Sequence, residues 1–299
     1  MAPSAQPLIS ISPSSAPSSR ALRAIHVLNA AAANPKTGPS VDDVNQVADQ
    51  DVNHWKPGDA DPNSSDLVNI LIKNNWDIWG EKLLKNKFCQ DMATQKQDGS
   101  AGYKKVYNGF KWYTVQDYKY CQQLLRYDAE RMSKAPSTDD LMQSAQHVYN
   151  DLEYAQDTLK TCTGTLDIPE ADVNAAETDS ASAAYSSFEF SVAERQDWVN
   201  SLVAMIPCIQ VYYVLGKAIL KQKPDTSTVW YANWILPNSG NDAVKSCQKQ
   251  MNFFKAADSD WHSSQYNMNI FNQTFREACQ HEMDFFNFGE NPKPIGPDN

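Results

Sequence analysis

Apolar side chains recur every three to four residues along most of the chain after residue 64, which is the period of amphipathic α-helices. In the first such segment Leu67, Leu71, Trp79 and Leu83 follow this spacing. No window shows the sustained period-two alternation with β-branched residues that is typical of strands. The pattern predicts an all-α bundle of about seven or eight helices, over roughly 65–84, 103–134, 139–162, from near 180, 198–220, 227–256 and 259–287.

The two ends of the chain lack this pattern. Residues 1–64 form a low-complexity extension and linker rich in Ser, Ala, Pro and Asn, and residues 1–41 contain no Asp or Glu. We expect a disordered tail, with a mitochondrial presequence as the alternative for the segment around Arg20 and Arg23. Residues 65–290 then form one helical domain, and 291–299 form a polar C-terminal tail.

Charge and cysteine usage narrow the possible partners and compartment. The net charge of −10 argues against nucleic acid and against an anionic membrane surface as partners. Six widely spaced cysteines without a CxxC pair indicate reduced thiols, and therefore a cytoplasmic protein. The longest apolar run, around 202–215, is interrupted by polar residues, so we expect no membrane span.

Three polar groups lie in aromatic or apolar stretches of the sequence and are candidate catalytic or ligand-binding groups. Cys208 lies in an apolar run with Tyr212 four residues later, so both side chains project from one helical face. Asp117 is flanked by Tyr113, Tyr118 and Tyr120. Glu282 precedes Met283, Phe285 and Phe286. A thiol, two carboxylates and several tyrosines suggest a buried pocket for a small polar ring.

Four of these stretches in order resemble the TenA/thiaminase II family. They are FKWYTVQDYKY from Phe110, SAAY ending at Tyr185, MIPCIQVYYVLG containing Cys208, and EMDFF from Glu282. The resemblance covers about Leu67 to Phe288. It implies a heme-oxygenase-like helical bundle without heme, usually a homotetramer, that hydrolyses aminopyrimidines derived from thiamin.

The resemblance also implies roles for individual residues. Cys208 would be the nucleophile, Glu282 the proton donor and acceptor, and Asp117 the group that holds the thiol and the amino edge of the ring. Tyr120, Tyr185 and Tyr212 would line the pocket, with Phe88 stacking on the ring. A thiolate attacks an electron-poor ring, and a carboxylate in an aromatic pocket can act as acid and base in turn. This chemistry requires no metal or other cofactor.

The sequence departs from the family in three places. The connector from Cys89 to Gly102 is longer and rich in Lys and Gln, Asn238 stands where the family has a tyrosine, and the N-terminal extension is atypical. These changes favour, as alternatives, a relative acting on another small aromatic in a biosynthetic pathway, or a non-catalytic pyrimidine-binding protein.

Each candidate also has a structural interpretation. Cys208 could be buried packing, Glu282 a helix-face carboxylate and Asp117 a structural hydrogen-bonding group. A di-iron site needs several Glu and His residues at helical spacing, and His147, His262 and His281 lack such partners. Glu282 with Asp284 is also wrongly spaced for such a site.

Overall fold

A computed structural model describes residues 67–257 and 265–296, and these contain helices and connecting turns without strands. The all-α prediction is confirmed. The predicted extension 1–64 lies outside the described residues. The α-helices are α1 (Leu67–Asn74), α2 (Trp76–Trp79), α3 (Lys87–Thr94), α4 (Ala101–Met132), α5 (Thr138–Lys160), α6 (Glu170–Ala175), α7 (Ser180–Arg195), α8 (Ile206–Leu220), α9 (Leu236–Ser239), α10 (Asn241–Ala256) and α11 (Gln265–Phe286).

The predicted single helix over 65–84 is broken, and that prediction was wrong. The Asn75 side chain donates to the Leu71 carbonyl at 2.9 Å, four residues back, which satisfies a helix-end acceptor locally. Gly80 follows α2 and lies so close to the Trp76 indole that a Cβ there would clash. The short 3₁₀ turn Leu83–Lys85 then leads into α3. The breaks let Trp79 turn into the core, where it packs on Phe275.

Helix α4 is the long central element, and it packs against α5 and α7. Its 32 residues span about 48 Å at 1.5 Å per residue. Side-chain caps fix the starts of these helices: Ser100 for α4, Ser137 for α5 and Asp179 for α7 each accept a backbone N–H. The predicted break between the helices over 103–134 and 139–162 is therefore confirmed. The short α6 lies between the helices predicted over 139–162 and from near 180.

The predicted apolar helix over 198–220 begins as a 3₁₀ turn, Asn200–Met205, and becomes α-helical at Ile206. Pro207 lies in the first turn of α8, where its missing N–H costs no hydrogen bond. Among the described residues, Asn200–Leu220 is long and apolar enough to cross a membrane, and 72% of its apolar window is buried in the bundle. Buried core helices of globular proteins meet the same criteria, so the absence of a membrane span stays a prediction.

The predicted helix over 227–256 is also interrupted. A π-helical turn, Tyr231–Ile235, precedes α9, and Gly240 separates α9 from α10. Pro237 cannot donate a backbone hydrogen bond, which accounts for a widened turn just before it. Gly216 of α8 lies against the Asn238 backbone, where a Cβ would come within 2.8 Å of the Asn238 carbonyl carbon. This close contact places α9 directly beside α8.

The C-terminal residues pack onto the bundle. Lys293 pairs with the Asp179 carboxylate at 3.1 Å and lies 5.3 Å from the centre of the Trp112 ring. Gly109 of α4 approaches the Gly289 carbonyl so closely that a Cβ would lie 2.3 Å from the oxygen. All six cysteines are buried, and none forms a disulfide.

The close contact at Gly109 gives a test of this packing. Replacing Gly109 with Ala should lower the free energy of unfolding by about 1–3 kcal/mol, because overpacking costs exceed the gain in helix propensity. Gly164→Ala is the matched control, since no atom lies within 4 Å of its added Cβ. Denaturant titration of both variants measures the difference. Equal stabilities would contradict the packing of residues 287–289 on α4.

Candidate active site

A cavity of about 110 Å³ opens beside the middle of α4. It is small beside the ~300–1,000 Å³ of sites for drug-sized ligands, so it suits a compact molecule. Helices α4, α5 and α8 supply three walls, and the π-helical turn with α9 supplies the fourth. The residues that line the cavity include Tyr113, Asp117, Tyr120, Cys121, Tyr154, Cys208, Tyr212, Trp234 and Asn238.

Cys208 lines this cavity from the first turn of α8. Its residue is 5% exposed, and its Sγ lies 3.8 Å from the Tyr120 hydroxyl. Either group can donate across that contact. The thiol therefore lies at the cavity and also contacts the Tyr120 hydroxyl. Cys89 and Cys279 do not line this cavity, and burial raises the pKa of each of these thiols well above its ordinary value.

Tyr212 follows Cys208 by one helical turn and lines the same cavity. The Tyr113 hydroxyl donates to the Tyr212 hydroxyl at 3.1 Å, and the Trp234 indole N–H donates to Tyr113 at 3.3 Å. Burial, followed by the charge of Glu282, raises the pKa of Tyr212 well above its usual value. At neutral pH Tyr212 is therefore a neutral phenol in a fixed orientation.

Asp117 lies in the middle of α4, half-buried, with its carboxylate at the cavity. The Tyr154 hydroxyl of α5 donates to its Oδ2 at 3.4 Å. The Asp117 charge contributes, after burial, to a raised pKa of Tyr113. It is an acceptor placed to bind a donor edge of a ligand.

Tyr120 lines the cavity and connects it to Tyr185 and two buried carboxylates behind it. The Tyr120 hydroxyl donates to Glu189 Oε1 at 2.6 Å, and the Tyr185 hydroxyl donates to Glu282 Oε1 at 2.8 Å. The two phenol rings stack with centroids 5.2 Å apart. Burial, then the charges of Glu282, Glu189 and Cys208, raise the pKa of Tyr185 well above its usual value. The charges of both carboxylates therefore act on Tyr185.

The structure thus arranges the predicted site residues in two layers. Asp117, Tyr120, Cys208 and Tyr212 line the cavity itself. Tyr185 and Glu282 lie behind it. The Tyr185 ring stacks on the ring of Tyr120, and the Tyr185 hydroxyl donates to Glu282. Phe88 is buried against Tyr113, with ring centroids 5.9 Å apart, and against Gly289. It does not line this cavity, so its stacking on a ligand stays a prediction.

Two features of the site were missed from the sequence. Glu189 is fully buried on α7, one turn after Tyr185, and this i,i+4 spacing with Tyr185 was the available signal. The second is the π-helical turn that carries Asn233 and Trp234 to the cavity. Asn238, the residue in place of a family tyrosine, also lines the cavity, and its Nδ2 donates to the Trp234 carbonyl at 2.9 Å.

The residues with metal-ligating spacing lie elsewhere. Among the described residues, Asp128, His147 and Asp151 form the only group close enough to hold an ion. His147 has an aspartate neighbour, since Asp151 lies one turn later on α5 and its Oδ2 is 3.1 Å from the His147 Nδ1. His262 lies outside the described residues. His281 stacks on Tyr185 at 5.3 Å, next to Glu282 in sequence.

Comparisons with known proteins agree with this fold. The TENA/THI-4/PQQC family model matches residues 106–290. A TenA family transcription regulator from a Silicibacter species is 19% identical, with a TM-score of 0.63, over 75% of this chain and 96% of that one. A TenA homologue from P. horikoshii has 18% identity and a TM-score of 0.63, over 74% and 96% of the two chains.

A third solved structure is a putative TenA-like thiaminase from Sulfolobus solfataricus, with 22% identity and a TM-score of 0.57. The similarity covers 77% of this chain and 99% of that chain. A search of curated proteins returns no match. At these identities the structures establish the shared fold, and the family model establishes the relationship.

His281 provides a pH test of the packing around Tyr185. Burial lowers the pKa of His281 below its ordinary value of 6.5, only partly offset by Glu277 and Asp284. The unfolded chain therefore binds more protons than the folded one just below pH 6.5, so stability is lost as pH falls through that window. His281→Phe keeps an aromatic ring there without the titration. We expect a flatter dependence of unfolding free energy on pH between 7 and 5 in this variant, and identical slopes would contradict it.

Proposed function

The chain belongs to the TENA/THI-4/PQQC family, and we propose that it hydrolyses a small aminopyrimidine in the manner of thiaminase II. The observation that carries the proposal is the placement of Cys208 in a small cavity between Asp117 and Tyr212. A thiol that served only for packing needs no carboxylate facing the same space. The name of the Sulfolobus neighbour, a putative thiaminase, points in the same direction.

The proposed reaction begins with the thiol. Cys208 gives up its proton, and the thiolate adds to a ring carbon, forming a C–S bond while the electron pair moves onto a ring nitrogen. The pair then returns to expel the amine or other leaving group, which takes a proton. Water adds at the vacated carbon, the C–S bond breaks, and the alcohol product leaves. Overall, one water replaces the leaving group with a hydroxyl, and no electrons are gained or lost.

Glu282 is the proposed carrier of the proton in both halves of this sequence. It lies on α11 and is 1% exposed. The Tyr185 hydroxyl holds one of its oxygens at 2.8 Å. Because Glu282 does not line the cavity, it would donate a proton to the leaving group, and afterwards accept one from water, across the layer of tyrosines in front of it.

The remaining residues position the ligand and the thiol. Asp117 is the proposed acceptor for the amino edge of the ring, because its carboxylate lines the cavity and Tyr154 fixes it. Tyr120 contacts the Cys208 Sγ and is itself held by Glu189. Glu189 therefore acts on the thiol only through Tyr120 and is a positioning residue.

A homotetramer in a reducing compartment such as the cytoplasm completes the proposal. Helix α5 carries four large apolar side chains that are 42–67% exposed in the single chain: Leu141, Met142, Tyr149 and Leu152. Such a cluster on one helix is typical of a surface that another protein chain covers.

Asn238 supports a second candidate, a related enzyme acting on a different small aromatic compound. This residue lines the cavity, and asparagine has a smaller side chain without a phenol. The cavity is therefore shaped differently from one with a tyrosine in that place. The two candidates share Cys208 and Glu282 and differ in the ring that the cavity accepts.

Substitution of Cys208 tests both candidates. Cys208→Ser should lower turnover of 4-amino-5-aminomethyl-2-methylpyrimidine, of thiamin or of another aromatic in a metabolite panel by more than about 1,000-fold. A hydroxyl is a far weaker nucleophile than a thiolate at neutral pH. Thermal stability should change little. Mass spectrometry of the panel identifies the substrate.

Cys121→Ser is the matched control, since Cys121 is also buried and lines the same cavity. Its turnover should stay within about threefold of the parent protein. Iodoacetamide should also label Cys208 faster than the other five cysteines. A loss below about tenfold in Cys208→Ser, equivalent to ~1.4 kcal/mol of barrier, would return Cys208 to a packing role.

A further inference from the structure

A second cavity, of about 160 Å³, lies farther along the seam between α4 and α5. Asp128 follows Asp117 by eleven residues on α4, which places these two carboxylates about 16 Å apart along the helix. The proposed hydrolysis uses none of its residues. The 3₁₀ turn before α8 and helix α10 close its other sides, and its charged and polar lining includes Asp128, Arg131, Asp140, His147, Lys249 and Gln250.

Two metal-ligating side chains, Asp128 and His147, line this cavity, and a third, Asp151, lies close to both of them. Asp128 comes from α4, whereas His147 and Asp151 are one helical turn apart on α5 and share a face. One ligand atom from each lies within 4.8 Å of the others. The His147 Nδ1 is 3.1 Å from Asp151 Oδ2. This spacing brings the three atoms around a common point, as in sites where two ligands at i and i+4 on one helix meet a third from a neighbour.

The charges of the cluster favour a cation. Two carboxylates so close together repel one another, and the Asp151 side chain is only 2% exposed, so water screens it poorly. A protonated imidazole supplies a single positive charge. Arg131 also lies nearby, and its positive charge acts on Asp128 and Asp140. Its guanidinium donates to the Trp198 carbonyl at 3.0 Å and stacks 3.8 Å over the Trp198 ring. A divalent ion would balance both carboxylates at once.

The chemical types of the three ligand atoms indicate which metal ion the site would bind. One imidazole nitrogen with two carboxylate oxygens suits Zn²⁺ and related first-row metals better than Mg²⁺ or Ca²⁺, which prefer oxygen ligands alone. Three protein ligands leave a coordination position open, as in zinc sites that bind water or substrate. His147 lines the cavity and its side chain is 42% exposed, so an ion can enter and water can complete its shell.

We propose that Asp128, His147 and Asp151 form a second site, separate from the Cys208 cavity, that binds one divalent transition-metal ion such as Zn²⁺. This site does not depend on the hydrolase proposal, because no residue of the triad lines the first cavity.

Metal titration of the full chain tests the site. Protein freed of metal with a chelator and dialysed would be titrated with Zn²⁺ by calorimetry, and with Co²⁺ by its visible absorption. We expect one saturable site per chain. His147→Ala and Asp151→Asn should each weaken Zn²⁺ binding at least about tenfold, as loss of metal-orienting groups does. Asp140→Asn, in the same cavity but outside the triad, is the matched control and should bind as the parent does.

Metal-free unfolding of each variant shows whether it folds. The His147 side chain is partly exposed, so we expect His147→Ala to fold. Its Zn²⁺ affinity then tests the site even if Asp151→Asn proves unstable. An absence of saturable binding in the parent protein would overturn the proposal, and so would unchanged affinity in folded His147→Ala. Equal weakening in Asp140→Asn would also overturn it, because general cavity charge would then hold the ion.

Discussion

Burial of two carboxylates in an aromatic core constrains the rest of the candidate active site. Glu189 and Glu282 are at most 1% exposed, and removing such groups from water costs several kcal/mol unless hydrogen bonds satisfy them. Tyr120 and Tyr185 each donate one hydrogen bond, of a kind worth about 1.5–3 kcal/mol when the acceptor is charged. These bonds fix the stacked phenol rings, and the ring of Tyr120 in turn holds the Cys208 thiol.

Irregular helix geometry provides the space next to this rigid layer. The π-helical turns Thr161–Thr165 and Tyr231–Ile235 both contribute residues to the cavity wall, and a 3₁₀ turn precedes the helix that carries Cys208. Regular helices pack side chains to the density of a crystal, which leaves little room for a ligand. Widened turns beside Pro237 and near Gly164 open that packing locally, which is why such turns recur at functional sites.

Sequence patterns predicted the features that depend on local spacing along a helix. They failed for features that depend on contacts between residues far apart in the sequence. The shared face of Cys208 and Tyr212 and the capped start of α5 near Ser137 follow from helical geometry. Glu189 was missed because its partner, Tyr120, lies 69 residues away. The breaks at Asn75 and Gly80 depend on a side-chain hydrogen bond and an indole contact that hydrophobic periodicity does not encode. His147 and Asp151 are visible as an i,i+4 pair, whereas Asp128 joins them only through the packing of α4 on α5.

Trapping the covalent intermediate tests the central claim, that Cys208 attacks the substrate ring, most directly. Glu282→Gln removes the proposed proton carrier and should stall the reaction after the thiol has added. Rapidly acid-quenched samples with the aminopyrimidine, digested and analysed by mass spectrometry, should show the pyrimidine mass on the peptide that contains Cys208. Product formation by the parent protein with no such adduct in either protein, or an adduct on a different cysteine, would contradict the claim.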